Sequence, residues 1–512
     1  MDKKRVILLI IDGWGVRRLD NYNPFSVAKK NFFDNYEKIG GFGFLQASGI
    51  TVGLDYGDVG SSEAGHISLG IGKTYYQNFP RINIAIKGGE FFNNPQLNFA
   101  FEYAKKNNSR VHCIGLLTKK PNHAYLDHLE NIIKLAKNNY PSVPVFLHLF
   151  ADGYDEPKGN FVPNLKYISE LIQDSLIKIG TVCGRLYAMD ETQSWTLKTQ
   201  RTFLLLTENI GIFASLEDFI KQNENNFEFN EYLLEPTVFD KNSKIQDNDS
   251  LIFFNFNPSG VKQLFSAFVL PDFSYFKRPS RKNLYIVSFV PYLNDLPELN
   301  VPVAFPPEKI KTNITKVISE RGLGQLKITE TTKAKNLLYH FNGLYEEKHP
   351  KEVIKLFQPK EPLNKNPIQM ANEIIDSIIL AQKDKNFSFI AANIPCLDYL
   401  GHNGDFNLAV RGIELLDELL IKLIEHLDDD VALLITSDHG NVEQLLNPIT
   451  GEPDLIHNRN PVPLILFIKG INGKINKNSI GSLIDVAPTI LDLMQIPKPL
   501  EMTGNSLLKF LI

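Results

Sequence analysis

Asp438 and His439 stand in Thr436-Ser437-Asp438-His439-Gly440-Asn441, directly behind the apolar run Val431 to Ile435, so two side chains able to ligate a metal fall at the end of a predicted strand. A strand buried in an α/β sheet is apolar on both faces, and ligands gather beyond its carboxyl end. Alone, such a hexapeptide also reads as a polar turn whose aspartate caps the next helix. The setting recurs, however. Val6 to Ile11 is wholly apolar and is closed by Asp12-Gly13-Trp14-Gly15, and Phe387 to Ala392 is followed by a loop that carries Asp398 and His402. Four residues apart, these two share a face if the loop makes a helical turn. His457 precedes Asn460-Pro461-Val462-Pro463 and the apolar run Leu464 to Ile468. Carboxylate and imidazole donors without a neighbouring pair of thiolates suit Mn²⁺, Mg²⁺ or Zn²⁺ rather than a structural four-cysteine zinc site.

Gly57-Asp58-Val59-Gly60-Ser61-Ser62-Glu63-Ala64-Gly65-His66 is a glycine-rich loop that enters a predicted helix, so backbone N–H groups converge near Ser62. A serine oxygen there can attack phosphorus when a metal and the positive end of a helix favour its alkoxide. The alternative is a Ser62 that caps the helix, with Glu63 in its first turn.

In these segments the chain resembles the cofactor-independent (2,3-bisphosphoglycerate-independent) phosphoglycerate mutases of the alkaline-phosphatase superfamily. The resemblance covers nearly the whole length. Further anchors are Asp152-Gly153 with Asp155, Gly184-Arg185 with Ala188-Met189-Asp190, and Val303-Ala304-Phe305-Pro306-Pro307, in the family's order and near its spacing. The resemblance implies two divalent metal ions, Mn²⁺ first with Mg²⁺ or Zn²⁺ as alternatives, and no 2,3-bisphosphoglycerate. It makes Asp398, His402 and His457 ligands of one ion, and Asp12, Ser62, Asp438 and His439 ligands of the other. It also implies that Ser62 takes the phosphoryl group from phosphoglycerate, that Asp155 acts as base, that His123 and Arg185 position the substrate, and that Lys333 contacts the phosphoryl group.

The substrate half departs from the family. Tyr154, Glu191, Asn257 and Gly260 occupy positions where the family has arginine, and Thr332 stands where it has a glutamate before its lysine. Arginine grips phosphate or carboxylate with two donors and a fixed charge, which neither Tyr nor Asn supplies. At roughly 1.5–3 kcal/mol per charge-assisted bond, three or four uncompensated losses amount to several orders of magnitude in affinity or rate. Lys119, Lys120, Lys158 and Lys262 are candidate replacements, though solvated surface lysines are the commoner case. Three readings therefore stand: the mutase; a phosphohydrolase or phosphotransferase for another ester, which predicts phosphate release without isomerisation; and a metal-binding homologue without turnover, which predicts bound metal and no phosphoenzyme.

The elements that must position these residues alternate short β-rich runs with amphipathic helical stretches, which indicates α/β layers with mostly parallel sheets. Val111 to Leu117, Val143 to Leu149 and Tyr285 to Val290 read as strands, and Phe406 to Leu427 as a long core-facing helix. Gln222 to Asn230 and Asp240 to Asp249 read as exposed loops. The candidate metal ligands lie before about residue 70 or after about residue 395, so the metal domain is expected to be discontinuous, comprising 1–77 and 308–512, with 78–307 inserted. Tyr76 to Arg81 and Phe305-Pro306-Pro307 are the expected connections. The resemblance implies the same fold class, an alkaline-phosphatase-like metal domain with an inserted α/β phosphotransferase domain that closes over the substrate.

With 512 residues the chain exceeds one ordinary core. Its net charge of −4 leaves no basic footprint for nucleic acid, and three scattered cysteines, Cys113, Cys183 and Cys396, imply no disulfide framework. The charged start is followed by an apolar run of about six residues that ends in Asp12, too short for a signal sequence or membrane span. A cytoplasmic, monomeric enzyme acting on a small phosphorylated substrate, without nucleic acid or membrane partners, is the resulting expectation.

Overall fold

The computed structural model describes residues 3–293, 296, 299–362, 365–366, 368–447 and 449–512, with the side chains of all of these except 37 and 39. The chain forms two compact units, Met1–Gln77 with Glu308–Ile512, and Asn78–Pro307. Each has its own sheet and core. No helix among the described residues is long and apolar enough to cross a membrane.

The first unit is built on eight strands in the order Glu352–Phe357, Gly324–Glu330, Phe387–Ile394, Arg5–Ile11, Val431–Thr436, Val462–Ile468, Gly41–Gln46 and Ile475–Ser482. Its central strand runs Val6 to Ile11 with every side chain buried, because helical layers cover both faces of the sheet. Arg5–Ile11 pairs in parallel with Phe387–Ile394 on one side and with Val431–Thr436 on the other. The registers Ile11 to Ile394 and Ile10 to Thr436 bring three carboxyl ends to one edge of the sheet. Val462–Ile468 is antiparallel to Val431–Thr436, so its amino end, just after His457, reaches that same edge. The helix Phe406–Glu425 is capped by Asp405, which accepts from the Leu408 N–H at 2.9 Å, and it buries Ala409, Ile413, Leu416, Leu420 and Leu423 at helical spacing.

The second unit has seven strands in the order Ile212–Phe213, Thr237–Val238, Ile177–Gly184, Val145–Ala151, Val111–Leu117, Ser250–Phe253 and Tyr285–Ser288. All pair in parallel except Ile177–Gly184 with Thr237–Val238. Here too the registers Leu117 to Ala151 and Ala151 to Gly184 set three carboxyl ends at one edge, next to His123, Asp152 and Arg185.

Both sheets are mostly parallel, as expected, with Val462–Ile468 antiparallel to both its neighbours in the first. Other expectations need correction. The expected strand Val143 to Leu149 runs instead from Val145 to Ala151, because Pro144 has no N–H to give a ladder. The strand at 387 continues to Ile394, and the one at Tyr285 stops at Ser288. The segment Asp240 to Asp249 is not simply exposed: Ser243, Ile245 and Asp249 are buried. The stretch from Gln222 begins inside the helix Leu216–Asn223.

Asp249 anchors a buried polar chain through the second sheet. Its Oδ2 lies 3.0 Å from His112 Nε2, His112 Nδ1 lies 2.9 Å from His148 Nε2, and His148 Nδ1 lies 2.8 Å from Thr181 Oγ1. Burial lowers both imidazoles below the ordinary histidine value of 6.5 and takes the buried His128 down to about 3. Below pH 6.5 the unfolded chain therefore binds more protons than the folded one, so this contribution to stability is complete above that pH and is lost as pH falls toward 3. For His128 alone the loss is on the order of 5 kcal/mol. Urea unfolding followed through Trp195 should show a midpoint that drops from pH 7.5 to pH 5, and His128→Phe should blunt the drop.

Candidate metal centre and nucleophile

Asp398 and His402 lie on the short helix Cys396–Asn403, which begins two residues after the strand Phe387–Ile394 and turns both side chains to one face. His402 Nε2, His457 Nε2 and Asp398 Oδ1 form a triangle with sides of 3.0, 3.2 and 3.4 Å. Two ligand bonds of about 2.1 Å at a tetrahedral angle span roughly 3.4 Å, so the triangle has the size of a metal's face. The protonation pattern agrees. His402 Nδ1 donates to Leu455 O at 2.8 Å and His457 Nδ1 to Gly60 O at 2.9 Å, which leaves a lone pair on each Nε2. Two such lone pairs 3.0 Å apart repel unless a cation lies between them. Asp398 beside the pair favours positive charge there and raises the His402 imidazole above its ordinary value, so a proton and a metal ion compete for the same lone pair. The carboxylate is fixed by Asn441 Nδ2 at 2.9 Å on Oδ1 and by Lys333 Nζ at 2.7 Å on Oδ2.

The second group centres on His439 Nε2, which lies 2.9 Å from Ser62 Oγ, 3.3 Å from Asp12 Oδ1 and 3.5 Å from Asp438 Oδ2. Asp398 Oδ1 also comes within 3.9 Å of it. Asp12 Oδ1 and Asp438 Oδ2 are buried and have no hydrogen-bond partner among the described residues. A fully buried carboxylate oxygen without a donor calls for a cation. Burial opposes charge on His439, yet Asp438, Asp12 and Asp398 outweigh it and push the imidazole up to about 10. Asp398, His402 and His457, and likewise Asp12, Asp398 and His439, bring donor atoms within 4.8 Å of one another, a spacing that fits a divalent ion, and all lie within the first unit.

Ser62 is the first residue of the helix Ser62–Ile71, and Ser61 is the cap, its Oγ accepting from the Ala64 N–H at 3.1 Å. The capping alternative for Ser62 is thereby removed, and its hydroxyl is left to face His439 and the ammonium of Lys333 at 3.3 Å. Lys333 also lies 3.2 Å from Asp12 Oδ2. Burial disfavours its charge, but Asp12, Asp398 and Asp438 hold the ammonium above the usual lysine range.

Three supporting residues were not legible as functional in the sequence. Glu443, fully buried, accepts from the Gly15 and Asn441 N–H groups, each at 2.9 Å, and so ties the Asp12 loop to the Asp438 loop. Asn441 orients Asp398. His66 Nδ1 lies 2.9 Å from Ser62 O and 3.1 Å from Asp438 Oδ2. For Asn441 and His66 the only signal was their place inside the motifs, while Glu443, two residues beyond one, reads as an ordinary helix-start acid.

In the second unit Arg185 Nη1 donates to Asp152 Oδ1 at 2.9 Å and to Asp155 Oδ2, and Nη2 donates to His123 Nε2 at 2.8 Å. Burial and Arg185 lower the His123 imidazole, and its buried Nδ1 has no hydrogen-bond partner among the described residues. Burial works against ionised Asp155, but Arg185 prevails and holds its carboxyl below the usual range. Where the resemblance leads one to expect arginine, Tyr154 is exposed with Arg185 over its ring at 5.2 Å, and Glu191 accepts from Ser259 Oγ. Asn257 Nδ2 donates to Asn122 O at 3.0 Å while its Oδ1 accepts from the Ser259 N–H. Gly260 has φ +79°, and a Cβ there would sit 2.9 Å from Met189 Cβ, so a side chain at that position is strained. Lys119, Lys120, Lys158 and Lys262 are exposed, and Lys262 borders a cavity of about 800 Å³ shared with Glu191 and Asn257.

Two donor sets, with a serine oxygen facing one of them, define a divalent-metal enzyme, and the profile of the Metalloenzyme superfamily matches residues 4–498. The chain is 37% identical to 2,3-bisphosphoglycerate-independent phosphoglycerate mutase 1 of Methanosarcina acetivorans over 99% of both chains. It is 35% identical to the 2,3-bisphosphoglycerate-independent phosphoglycerate mutase of Clostridium botulinum strain Langeland, over 99% of this chain and 100% of that one. The crystal structure of Leishmania mexicana phosphoglycerate mutase at low cobalt concentration has the same fold, with a TM-score of 0.60 at 24% identity over 99% of this chain and 98% of that one. The chain belongs to the 2,3-bisphosphoglycerate-independent phosphoglycerate mutase family.

Loss of a metal's own ligand should cost at least as much as loss of an outer-shell partner, about 10–100-fold in affinity. His457→Ala and His402→Ala should each weaken Mn²⁺ binding by that factor or more in calorimetry, and should shrink the rise in melting temperature that Mn²⁺ gives the unaltered protein.

Proposed function

We propose that this chain interconverts 3-phosphoglycerate and 2-phosphoglycerate through a phosphorylated Ser62, as an isomerase that needs no 2,3-bisphosphoglycerate. The observation that carries the reading is the position of Ser62 Oγ, 2.9 Å from His439 Nε2 and 3.3 Å from Lys333 Nζ at the amino end of a helix. Two divalent ions, Mn²⁺ in our reading, when held by Asp398, His402 and His457 and by Asp12, Ser62, Asp438 and His439, would lower the pKa of the serine hydroxyl and neutralise charge on the phosphoryl oxygens.

Ser62 Oγ attacks the phosphorus of 3-phosphoglycerate as the ester P–O bond to C3 breaks and glycerate leaves with the C3 oxygen, and the helix amino end favours negative charge on the serine oxygen. Lys333, kept charged by three carboxylates, offsets the charge of the transferring group from beside Ser62. Asp155, kept ionised by Arg185, takes a proton from the glycerate hydroxyl that receives the phosphoryl group back. Arg185 orients the acid, and the unpaired Nδ1–H of His123 supplies a donor for it.

A second reading rests on Tyr154, Glu191, Asn257 and Gly260. The guanidinium of Arg185 is already engaged by Asp152, Asp155 and His123, and Glu191 adds a negative charge where the family has a positive one. That wall suits a less anionic phosphate ester, with Ser62 and the metal donors unchanged.

Incubation of the Mn²⁺-loaded protein with 3-phosphoglycerate, following 2-phosphoglycerate and free phosphate together, separates the two. Formation of 2-phosphoglycerate without phosphate is expected; phosphate alone would favour the second reading. Ser62→Ala should abolish the phosphoenzyme and lower turnover by roughly 10⁴-fold or more, and turnover at the unaltered rate would remove Ser62 from the reaction.

A further inference from the structure

The strand Gly324–Glu330 leads directly into the turn Thr331–Lys333, and the ammonium at the end of that turn lies 3.3 Å from Ser62 Oγ, 2.7 Å from Asp398 Oδ2 and 3.2 Å from Asp12 Oδ2. Lysine reaches such a place on a flexible four-carbon stem, so the head group needs several restraints to stay there. The two carboxylates attract the charge. Tyr399 adds a restraint of another kind, since Lys333 Nζ lies over its ring, 5.6 Å from the centroid. The face of a tyrosine ring attracts a cation within about 6 Å.

The ring is itself held. Tyr399 OH donates to Glu330 Oε1 at 2.8 Å and lies 2.8 Å from Thr332 Oγ1, which also donates to Glu330 Oε1. Glu330 is buried, so its carboxylate depends on such donors. One tyrosine therefore spans the turn, with its hydroxyl on Glu330 at the start and its ring on Lys333 at the end. It follows Asp398 on the helix Cys396–Asn403, so one element carries both the carboxylate and the ring that meet Lys333. Thr332 stands where the resemblance leads one to expect a glutamate, which leaves Glu330 as the carboxylate of the turn. The Tyr399 hydroxyl bonds none of the metal donors among the described residues.

We propose that Tyr399 is a positioning residue for phosphoryl transfer, fixing the ammonium of Lys333 beside Ser62 through its ring on the lysine and its hydroxyl on Glu330. This role rests on Ser62 being the nucleophile, whichever ester supplies the phosphoryl group.

The test is the rate at which Ser62 is phosphorylated in the Mn²⁺-loaded protein, read by rapid quench and mass spectrometry with 3-phosphoglycerate and separately with p-nitrophenyl phosphate. Tyr399→Leu, which loses ring and hydroxyl, should slow that step by about tenfold or more, and Tyr399→Phe, which keeps the ring, by about threefold. In a Lys333→Met background the same Tyr399→Leu change should cost less than about twofold further, because residues that act as a unit are not additive. Unchanged Mn²⁺ affinity and melting temperature in Tyr399→Leu would show that Asp398 and the fold are intact. An unaltered rate in Tyr399→Leu, an equal further loss in the Lys333→Met background, or a fall in Mn²⁺ affinity as large as the fall in rate would overturn the assignment. If the unaltered chain phosphorylates Ser62 with neither ester, the nucleophile reading fails and this role fails with it.

Discussion

Three carboxylates, Asp12, Asp398 and Asp438, are buried at one edge of the first sheet, and the cost of holding their charges together shapes everything around them. Donor oxygens of Asp12 and Asp398 lie within 4.8 Å of each other. At that distance two unit charges repel by roughly 3–4 kcal/mol at an effective dielectric of 20. Positive charge must be supplied from nearby. Lys333 reaches Asp12 and Asp398, His439 is pushed up to about 10, and two oxygens remain without a donor. An edge with this demand for positive charge is a place for metal ions, and it is made by the parallel register of three adjacent strands.

The imidazoles of His402 and His457 add lone pairs, not charge, to the same edge. Backbone carbonyls of Leu455 and Gly60 take the Nδ1 protons of His402 and His457, which aims both remaining lone pairs at Asp398. Ser61 and Glu443 act one step further out. Ser61 caps the helix so that Ser62 does not have to, and Glu443 ties Gly15 to Asn441, which holds Asp398. The nucleophile and the donors thus depend on main-chain groups as much as on side chains.

The two units differ in how far they match what the resemblance leads one to expect. In the first, Asp12, Ser62, Asp398, His402, Asp438, His439 and His457 lie together at one edge of the sheet. In the second, the positions of the expected arginines are filled by residues whose hydrogen bonds close on neighbours within the unit, such as Asn257 on Asn122 and Glu191 on Ser259. Arg185 is correspondingly neutralised by Asp152 and Asp155.

The sequence by itself determined the strands and the residues at their ends. Runs such as Val6 to Ile11 are apolar without interruption, which only a two-sided core permits, and an Asp or His just beyond such a run has few other reasons to be there. Chain order showed the donors in two distant segments, and the helical spacing of Asp398 and His402 was readable as well. Strand direction was not: Val462–Ile468 pairs antiparallel, and hydrophobic periodicity is blind to direction. Nor was the burial of Asp249, whose polar neighbourhood reads as a loop until His112 is folded against it. Which hydroxyl caps the helix and which oxygens are left without donors were decided by the tertiary structure alone. The surroundings of the Asp12 oxygens come from residues hundreds of positions away, and proximity in space leaves no trace in local residue types.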